Sequence, residues 1–215
     1  MTARTIGFDL DGVLARPATY FINLASIFAG RSSASNRAWE PPQPGLGGVL
    51  RAILSKGPSG ENQPPEPAVT ASAPRRAIEK VRYALRVPMP ETAEVLDGLR
   101  PLARLVLVTN RNAVNEAYLH NWLQKHGLSA YFDAVHLNNT GEQGLHFKLR
   151  RLRELEIDEY VEDNPEIAEH LARNGVRVYF RRWALVRTPA HEGIFSYQKA
   201  EQLLAAVRSA AAGSG

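Results

Sequence analysis

The chain of 215 residues and 23.7 kDa matches one domain of ordinary size, or one domain with a small insert. Its 44% hydrophobic and 22% charged residues suffice for a buried core, which excludes a wholly disordered protein. The absence of cysteine excludes disulfides, thiolate nucleophiles and cysteine-ligated metal sites. A formal net charge of +4, without a concentrated basic stripe, favours small anionic ligands over nucleic acid as the primary partner.

The amino-terminal sequence MTARTIGFDLDGV contains no charged segment followed by a long apolar one, so we expect no secretory signal. The most apolar early stretch, residues 20–29, is too short to cross a bilayer, which needs about 20 apolar residues. We therefore expect a cytoplasmic protein without a membrane partner. The sequence gives no indication of the oligomeric state.

The first predicted element is a buried strand at residues 4–10, and a long insert follows at residues 16–88. Within the insert, the apolar stretch 19–30 predicts a helix, and the stretch near 57–74, rich in proline and glycine, predicts a flexible loop. Apolar residues at helical spacing predict a further amphipathic helix over 74–87. The sequence thus predicts a small, mostly helical cap inserted into a core of residues 1–15 and 89–215.

Helices and strands alternate from residue 89 to the end of the chain. Apolar periodicity predicts helices at 90–103, 115–127, 146–155, 165–175 and 199–212. Short apolar runs between them predict strands at 104–110, 134–138, 159–163 and 176–180. This alternation predicts an α/β fold, a Rossmann-like parallel sheet with helices on both faces.

Side chains capable of chemistry follow three of the predicted strands. They are Asp9 and Asp11 after the first strand, Thr109, Asn110 and Arg111 after the second, and Glu162 and Asp163 after the strand at 159–163. Ligands bind at the carboxyl ends of strands in an open parallel sheet, so we expect these side chains to converge. We expect Lys148, on the helix that precedes the last of these strands, to join them.

This residue set suits phosphoryl transfer. Acidic oxygens without histidine or cysteine form a hard site that favours Mg²⁺ over zinc, and magnesium commonly shares its shell with a phosphate oxygen. Two aspartates at i and i+2 could divide nucleophilic attack and proton transfer between them. Lys148 and Thr109 would then compensate charge on the phosphoryl oxygens.

Each of these residues also has a purely structural interpretation. Asp9 and Asp11 could form a turn with a helix cap, and Thr109 or Asn110 could cap a helix. Lys148 could lie on a solvated helix face and Arg111 on the surface. The pair before Asn164-Pro165 could cap the following helix and interact favourably with its dipole.

The segments FDLDGVL and LVLVTNR, then Lys148, then YVEDNPE resemble, in order, the four motifs of the haloacid dehalogenase-like (HAD) hydrolase superfamily. The resemblance covers residues 3–15 and 88–180, and the insert matches no pattern that we identify. The segments VTNRN, NWLQKHGL and YVEDNPEIAEHL are most similar to the 5′(3′)-deoxyribonucleotidase-like branch.

The resemblance implies a role for each matching residue. Asp9 would be the nucleophile and a Mg²⁺ ligand. Asp11 would be the general acid and base, with its backbone carbonyl on the metal. The other implied roles are phosphate binding for Thr109, Asn110 and Lys148, metal binding for Asp163 and an outer role for Glu162. Beside the resemblance, Arg111 could reach the substrate or belong to a second shell of the site.

The expected function is therefore Mg²⁺-dependent hydrolysis of a small phosphomonoester through an aspartyl-phosphate on Asp9. Two alternatives stay open: a phosphotransferase or mutase of the same superfamily, and a non-catalytic protein of this fold that uses its insert to dock a partner. The substrate is not indicated, because specificity in this architecture lies in the cap, where we find no recognisable signal.

Overall fold

The computed structural model describes residues 4–16, 80, 83–84, 86–111, 116–184 and 186–212. The helix predicted at 19–30 and the loop predicted near 57–74 lie outside these residues. Of the helix predicted over 74–87, only Lys80, Tyr83 and Ala84 are described as helical. The division into a core and a cap stays a prediction.

Six strands form one parallel sheet in the order β5-β4-β1-β6-β7-β8. Its strands are β1 (Thr5–Phe8), β4 (Arg104–Thr109), β5 (Ala134–Leu137), β6 (Glu159–Glu162), β7 (Arg177–Arg181) and β8 (Ile194–Tyr197). Two short strands, β2 (Ala15–Arg16) and β3 (Val87–Pro88), pair antiparallel on either side of the segment that the sequence predicts to be an insert. The parallel α/β sheet predicted from the sequence is confirmed.

Five α-helices lie wholly within the described residues and cover these strands. They are α1 (Thr92–Leu99), α2 (Glu116–Lys125), α3 (Gly144–Glu154), α4 (Pro165–Arg173) and α5 (Ala200–Ala212). A single 3₁₀ turn at Ser129–Tyr131 lies between α2 and β5. Among the helices of the described residues, none combines the length and the apolarity that a membrane span requires.

Two buried clusters show that helices pack on both faces of the sheet. Alternate residues of β4 divide between them, because Leu105 and Leu107 belong to one cluster while Val106 and Val108 belong to the other. Helices α1, α2 and α5 contribute to the first cluster, and helices α3 and α4 contribute to the second. The strands therefore read as continuous apolar runs, as expected for a sheet buried on both faces.

Three strands were not predicted from the sequence. Strand β8 pairs with β7 at the edge of the sheet, and β2 and β3 are only two residues long. The edge strand shows an irregular burial pattern in which Phe195 is exposed. Such short or half-exposed segments carry too little periodicity to stand out in a sequence.

Candidate active site

In the sheet, β4 and β5 lie on one side of β1, and β6, β7 and β8 lie on the other side. The order of the strands therefore reverses at β1. A crevice forms at such a switch point, beyond the carboxyl ends of the strands. Asp9 directly follows β1, Thr109 ends β4, and Glu162 ends β6. The fold therefore brings three of the predicted site positions to one edge of the sheet.

A buried lysine links the first and last of these positions. The Nζ atom of Lys148 lies 3.2 Å from Oδ1 of Asp9 and 2.6 Å from Oε2 of Glu162. Lys148 is only 1% exposed although it belongs to a helix rich in arginine, so the interpretation that it lies on a solvated face is wrong. The backbone amide of Asp9 donates to the carbonyl of Val161 at 3.0 Å, which ties the aspartate to β6.

Glu162 is fully buried and both of its carboxylate oxygens are engaged. While Oε2 accepts from Lys148, Oε1 accepts from the backbone amides of Asp163 at 3.1 Å and Asn164 at 3.0 Å. The side-chain cap of α4 is Asn164, which accepts from the amides of Glu166 and Ile167. The side-chain cap of α4 is thus Asn164, and Glu162 bonds the two backbone amides that precede the helix.

The ionisation of this group follows from its charges. Burial raises the pKa of Asp9, the ammonium of Lys148 opposes that rise, and the carboxylates of Glu162 and Asp11 add to it. Burial alone would lower the pKa of Lys148, but the charges of Asp9 and Glu162 outweigh it and hold that pKa well above its usual value. Lys148 is accordingly a fixed positive charge beside Asp9.

Two arginines hold the side chain of Asp11. Arg111 donates from Nε at 2.9 Å and from Nη2 at 2.6 Å to Oδ2 of Asp11, and Nη2 of Arg86 lies 2.6 Å from Oδ1. Burial would raise the pKa of Asp11, but the charges of Arg111 and Arg86 outweigh burial and hold it well below its usual value. Asp11 is therefore ionised in this arrangement.

The end of β4 supplies the predicted phosphate-binding residues. Thr109 is buried and Asn110 is exposed. Oδ1 of Asn110 accepts from Nδ2 of Asn138 at 2.6 Å, and the same nitrogen donates to the carbonyl of Glu142 at 2.7 Å. A Cβ at Gly144, the first residue of α3, would lie 2.7 Å from Nδ2 of Asn110, so glycine there allows the asparagine to approach the helix.

The acidic residues of this edge are suited to a hard cation. One oxygen each from Asp9, Glu162 and Asp163 lies within 4.8 Å of the others, and this group contains no histidine or cysteine ligand. Because both oxygens of Glu162 are engaged, Asp9 and Asp163 are the two carboxylates of this group that could hold Mg²⁺. Gly12, with φ of +77°, leaves the space that Asp163 fills, since a Cβ there would lie 1.8 Å from Oδ2 of Asp163.

Sequence reasoning missed two residues of this site. Asn138 follows β5 at the same edge of the sheet, so the strand-end argument applied to the other strands would have found it. Arg86 immediately precedes β3, and no motif in the sequence pairs it with Asp11. Arg111, for which two interpretations were open, lies against Asp11 and belongs to the site.

The sequence matches no protein-family model and no curated protein. Solved structures do share the fold. A haloacid dehalogenase-like family hydrolase from Xanthomonas campestris aligns with a TM-score of 0.58 at 15% identity, covering 99% of this chain and 98% of that chain. The HAD hydrolase YfnB from Bacillus subtilis, solved with magnesium, aligns with a TM-score of 0.58 at 13% identity and covers 96% and 99% of the two chains.

A third similar structure is CbbY from Rhodobacter sphaeroides in complex with phosphate, with a TM-score of 0.53 and 18% identity. The alignment covers 91% of this chain and 93% of that one. The chain therefore has the fold of the HAD-superfamily hydrolases, and the strand ends described above lie in the part of that fold where ligands bind.

Proposed function

We propose that this protein is a Mg²⁺-dependent phosphomonoester hydrolase that acts through an aspartyl-phosphate on Asp9. The observation that carries the proposal is the position of Asp9 beside the buried ammonium of Lys148, with Asp11 and Asp163 at the same strand ends. Similar structures that hold phosphate and magnesium support it.

In the first half of the reaction, an oxygen of Asp9 attacks phosphorus, and the bond from phosphorus to the substrate's alcohol oxygen breaks. Lys148 and Thr109 stabilise the charge on the phosphoryl oxygens, and Asp11 delivers a proton to the departing alcohol. Mg²⁺ held by Asp9 and Asp163 would neutralise part of the phosphate charge. Asp11 must first take up a proton, so substrate binding has to weaken its contacts with Arg86 and Arg111.

In the second half, water attacks the phosphorus of the aspartyl-phosphate, the bond from phosphorus to the Asp9 oxygen breaks, and inorganic phosphate leaves with the carboxylate of Asp9 restored. Asp11 is ionised after it has given up its proton, so it can accept a proton from that water. Its contacts with Arg86 and Arg111 favour the ionised form with which this step begins. An alcohol in place of water would make the protein a phosphotransferase or mutase. Product analysis with an added alcohol distinguishes the two acceptors.

The resemblance to the nucleotidase-like branch stays a prediction, supported by the sequence segments around Thr109 and Asp163 alone. A nucleotide substrate is therefore one member of the class that we propose, small phosphorylated metabolites. The alternative of a non-catalytic protein is disfavoured because Asp9 and Asp11 are both retained and because Asp9 lies beside a charged partner.

The Asp9→Asn variant tests the proposal, since it removes the attacking oxygen and barely changes the side-chain volume. We expect phosphate release from a panel of phosphomonoesters with Mg²⁺ to fall by several orders of magnitude. Asp158 is exposed, so Asp158→Asn is the matched control and should leave the rate of phosphate release unchanged. Activity of Asp9→Asn within tenfold of wild type, or no hydrolysis by the wild-type protein across the panel, would contradict the proposal.

A further inference from the structure

Arg86 is a buried arginine whose hydrogen-bonding capacity is only partly used. Arg86 is 4% exposed, and its guanidinium carbon lies 4.4 Å from the ring centroid of Tyr83. Its Nη2 atom forms the ion pair with Asp11. In the part of the chain that the structure describes, its Nε and Nη1 atoms are buried and find no hydrogen-bond acceptor. A buried guanidinium that lacks acceptors is costly unless a ligand supplies them.

Asp11 divides its carboxylate between two guanidinium groups. Nη2 of Arg86 lies 2.6 Å from Oδ1, and Nη2 of Arg111 lies 2.6 Å from Oδ2. Within the described residues, Asp11 therefore leaves the Nε and Nη1 donors of Arg86 without an acceptor. Arginine binds carboxylate and phosphate through paired N–H donors, so an anionic group is the natural complement to the donors of Arg86 that lack a partner.

The position of Arg86 and Arg111 decides which part of a substrate would reach these two arginines. In the proposed reaction Asp9 bonds to phosphorus, while Asp11 serves the alcohol that departs on the opposite side of the phosphorus. Arg86 and Arg111 contact Asp11, whereas Lys148 contacts Asp9. The arginines therefore lie on the side of the leaving alcohol, and the transferred phosphoryl group lies on the side of Lys148.

We infer that Arg86, together with Arg111, binds a second anionic group carried by the alcohol part of the substrate. The inference rests on the proposed function for the direction of the leaving group. The substrate class is then a phosphomonoester whose alcohol bears a carboxylate or a second phosphate, and Arg86 is a specificity-determining residue. An anion bound there would also compete with Asp11 for the arginines.

Binding to the Asp9→Asn protein tests this inference without turnover. The probes are n-propyl phosphate, 3-phosphooxypropanoate and 1,3-propanediol bisphosphate, whose alcohols share a three-carbon chain and end in a methyl, a carboxylate or a phosphate. Titration calorimetry with Mg²⁺ should show that at least one of the two probes with a second anionic group binds roughly tenfold to a hundredfold more tightly than n-propyl phosphate, as expected for hydrogen bonds to a charged group. Comparing these two probes separates carboxylate from phosphate as the preferred group.

In the Asp9→Asn background, Arg86→Met should abolish that preference while leaving the affinity for n-propyl phosphate within about threefold. Arg208→Met, at an exposed position on α5, is the matched control and should keep the preference. Equal binding of all three probes to the Asp9→Asn protein, or an equal loss for all three in Arg86→Met, would overturn the inference. The comparison of probes on Asp9→Asn stands even if Arg86→Met fails to fold.

The outcomes also separate this inference from the proposed function. If Asp9→Asn prefers a probe with a second anionic group but the wild-type protein releases no phosphate from any probe, the arginine site is supported and the proposed function is contradicted. A protein that hydrolyses all three probes with equal kcat/KM would retain the proposed function and lose the arginine site.

Discussion

Replacing Lys148 by methionine removes a cation that contacts both Asp9 and Glu162. The ammonium is 3.2 Å from Asp9 and 2.6 Å from Glu162, and the lysine is almost completely buried, so the variant leaves two carboxylates uncompensated in the interior. Breaking a buried ion pair by removing one partner costs about 3–5 kcal/mol. For a domain of 150–250 residues, a loss of this size lowers Tm by roughly 6–20 °C.

The loss should depend on pH and on magnesium. Without Lys148, the pKa of Asp9, which burial already raises, should rise further, so the ionised form of Asp9 opposes folding. A carboxyl with a raised pKa in the folded state is penalised as pH rises, and the stability deficit of Lys148→Met should therefore be larger at pH 8 than at pH 5. Added Mg²⁺ should stabilise this variant more than it stabilises wild type, because the cation would replace part of the missing charge.

Thermal denaturation followed by circular dichroism, at both pH values and with or without Mg²⁺, measures these effects. Lys125→Met is the matched control, since Lys125 is an exposed lysine in the last turn of α2. Phosphate release should also fall by roughly 10²–10³-fold, the usual cost of one fixed electrostatic donor. A Tm for Lys148→Met within 2 °C of the control would refute the argument that Lys148 compensates buried charge.

Three further substitutions test the metal and the acid. Asp163→Asn should raise the Mg²⁺ concentration needed for half-maximal phosphate release by at least about tenfold, and an unchanged requirement would exclude Asp163 as a ligand. Gly12→Ala should weaken Mg²⁺ binding in the same titration, because its Cβ would displace the carboxylate of Asp163. Gly175→Ala has a similar φ of +87° but open space around it, so this variant should lower only the stability of the fold. Asp11→Asn should slow alkyl phosphates ~10²–10⁴-fold more than aryl phosphates, and equal losses would exclude a general acid.

The site could be anticipated wherever it follows from the strand ends. The residues after β1, β4 and β6 were predicted from apolar runs that end in polar residues, and the sheet order brings those ends together. Asn138 after β5 was missed because the strand-end argument was not applied to that strand. Lys148 was harder to place, because its neighbours HFKLRRLR suggest a solvated basic face, while the helix turns Phe147 and Lys148 inward.

Contacts between distant segments were beyond sequence reasoning. Arg86 reaches Asp11 because β3 pairs with β2, and strands of two residues leave no periodic signal. Trp122 fixes the same segment by donating from Nε1 to the carbonyl of Arg86 at 2.9 Å, a contact between α2 and the residue before β3. Each of these pairings depends on tertiary packing rather than on local preference.

The site combines two charge triads of opposite sign. In one, the ammonium of Lys148 lies between the carboxylates of Asp9 and Glu162, and in the other, the carboxylate of Asp11 lies between Arg86 and Arg111. The first lies beside Asp163 and would hold the divalent cation of the proposed function. The second would bind the anionic group that we infer on the substrate. A substrate with phosphate at one end and a second anion at the other would complement both triads, and this complementarity makes magnesium binding and leaving-group recognition separable by mutation.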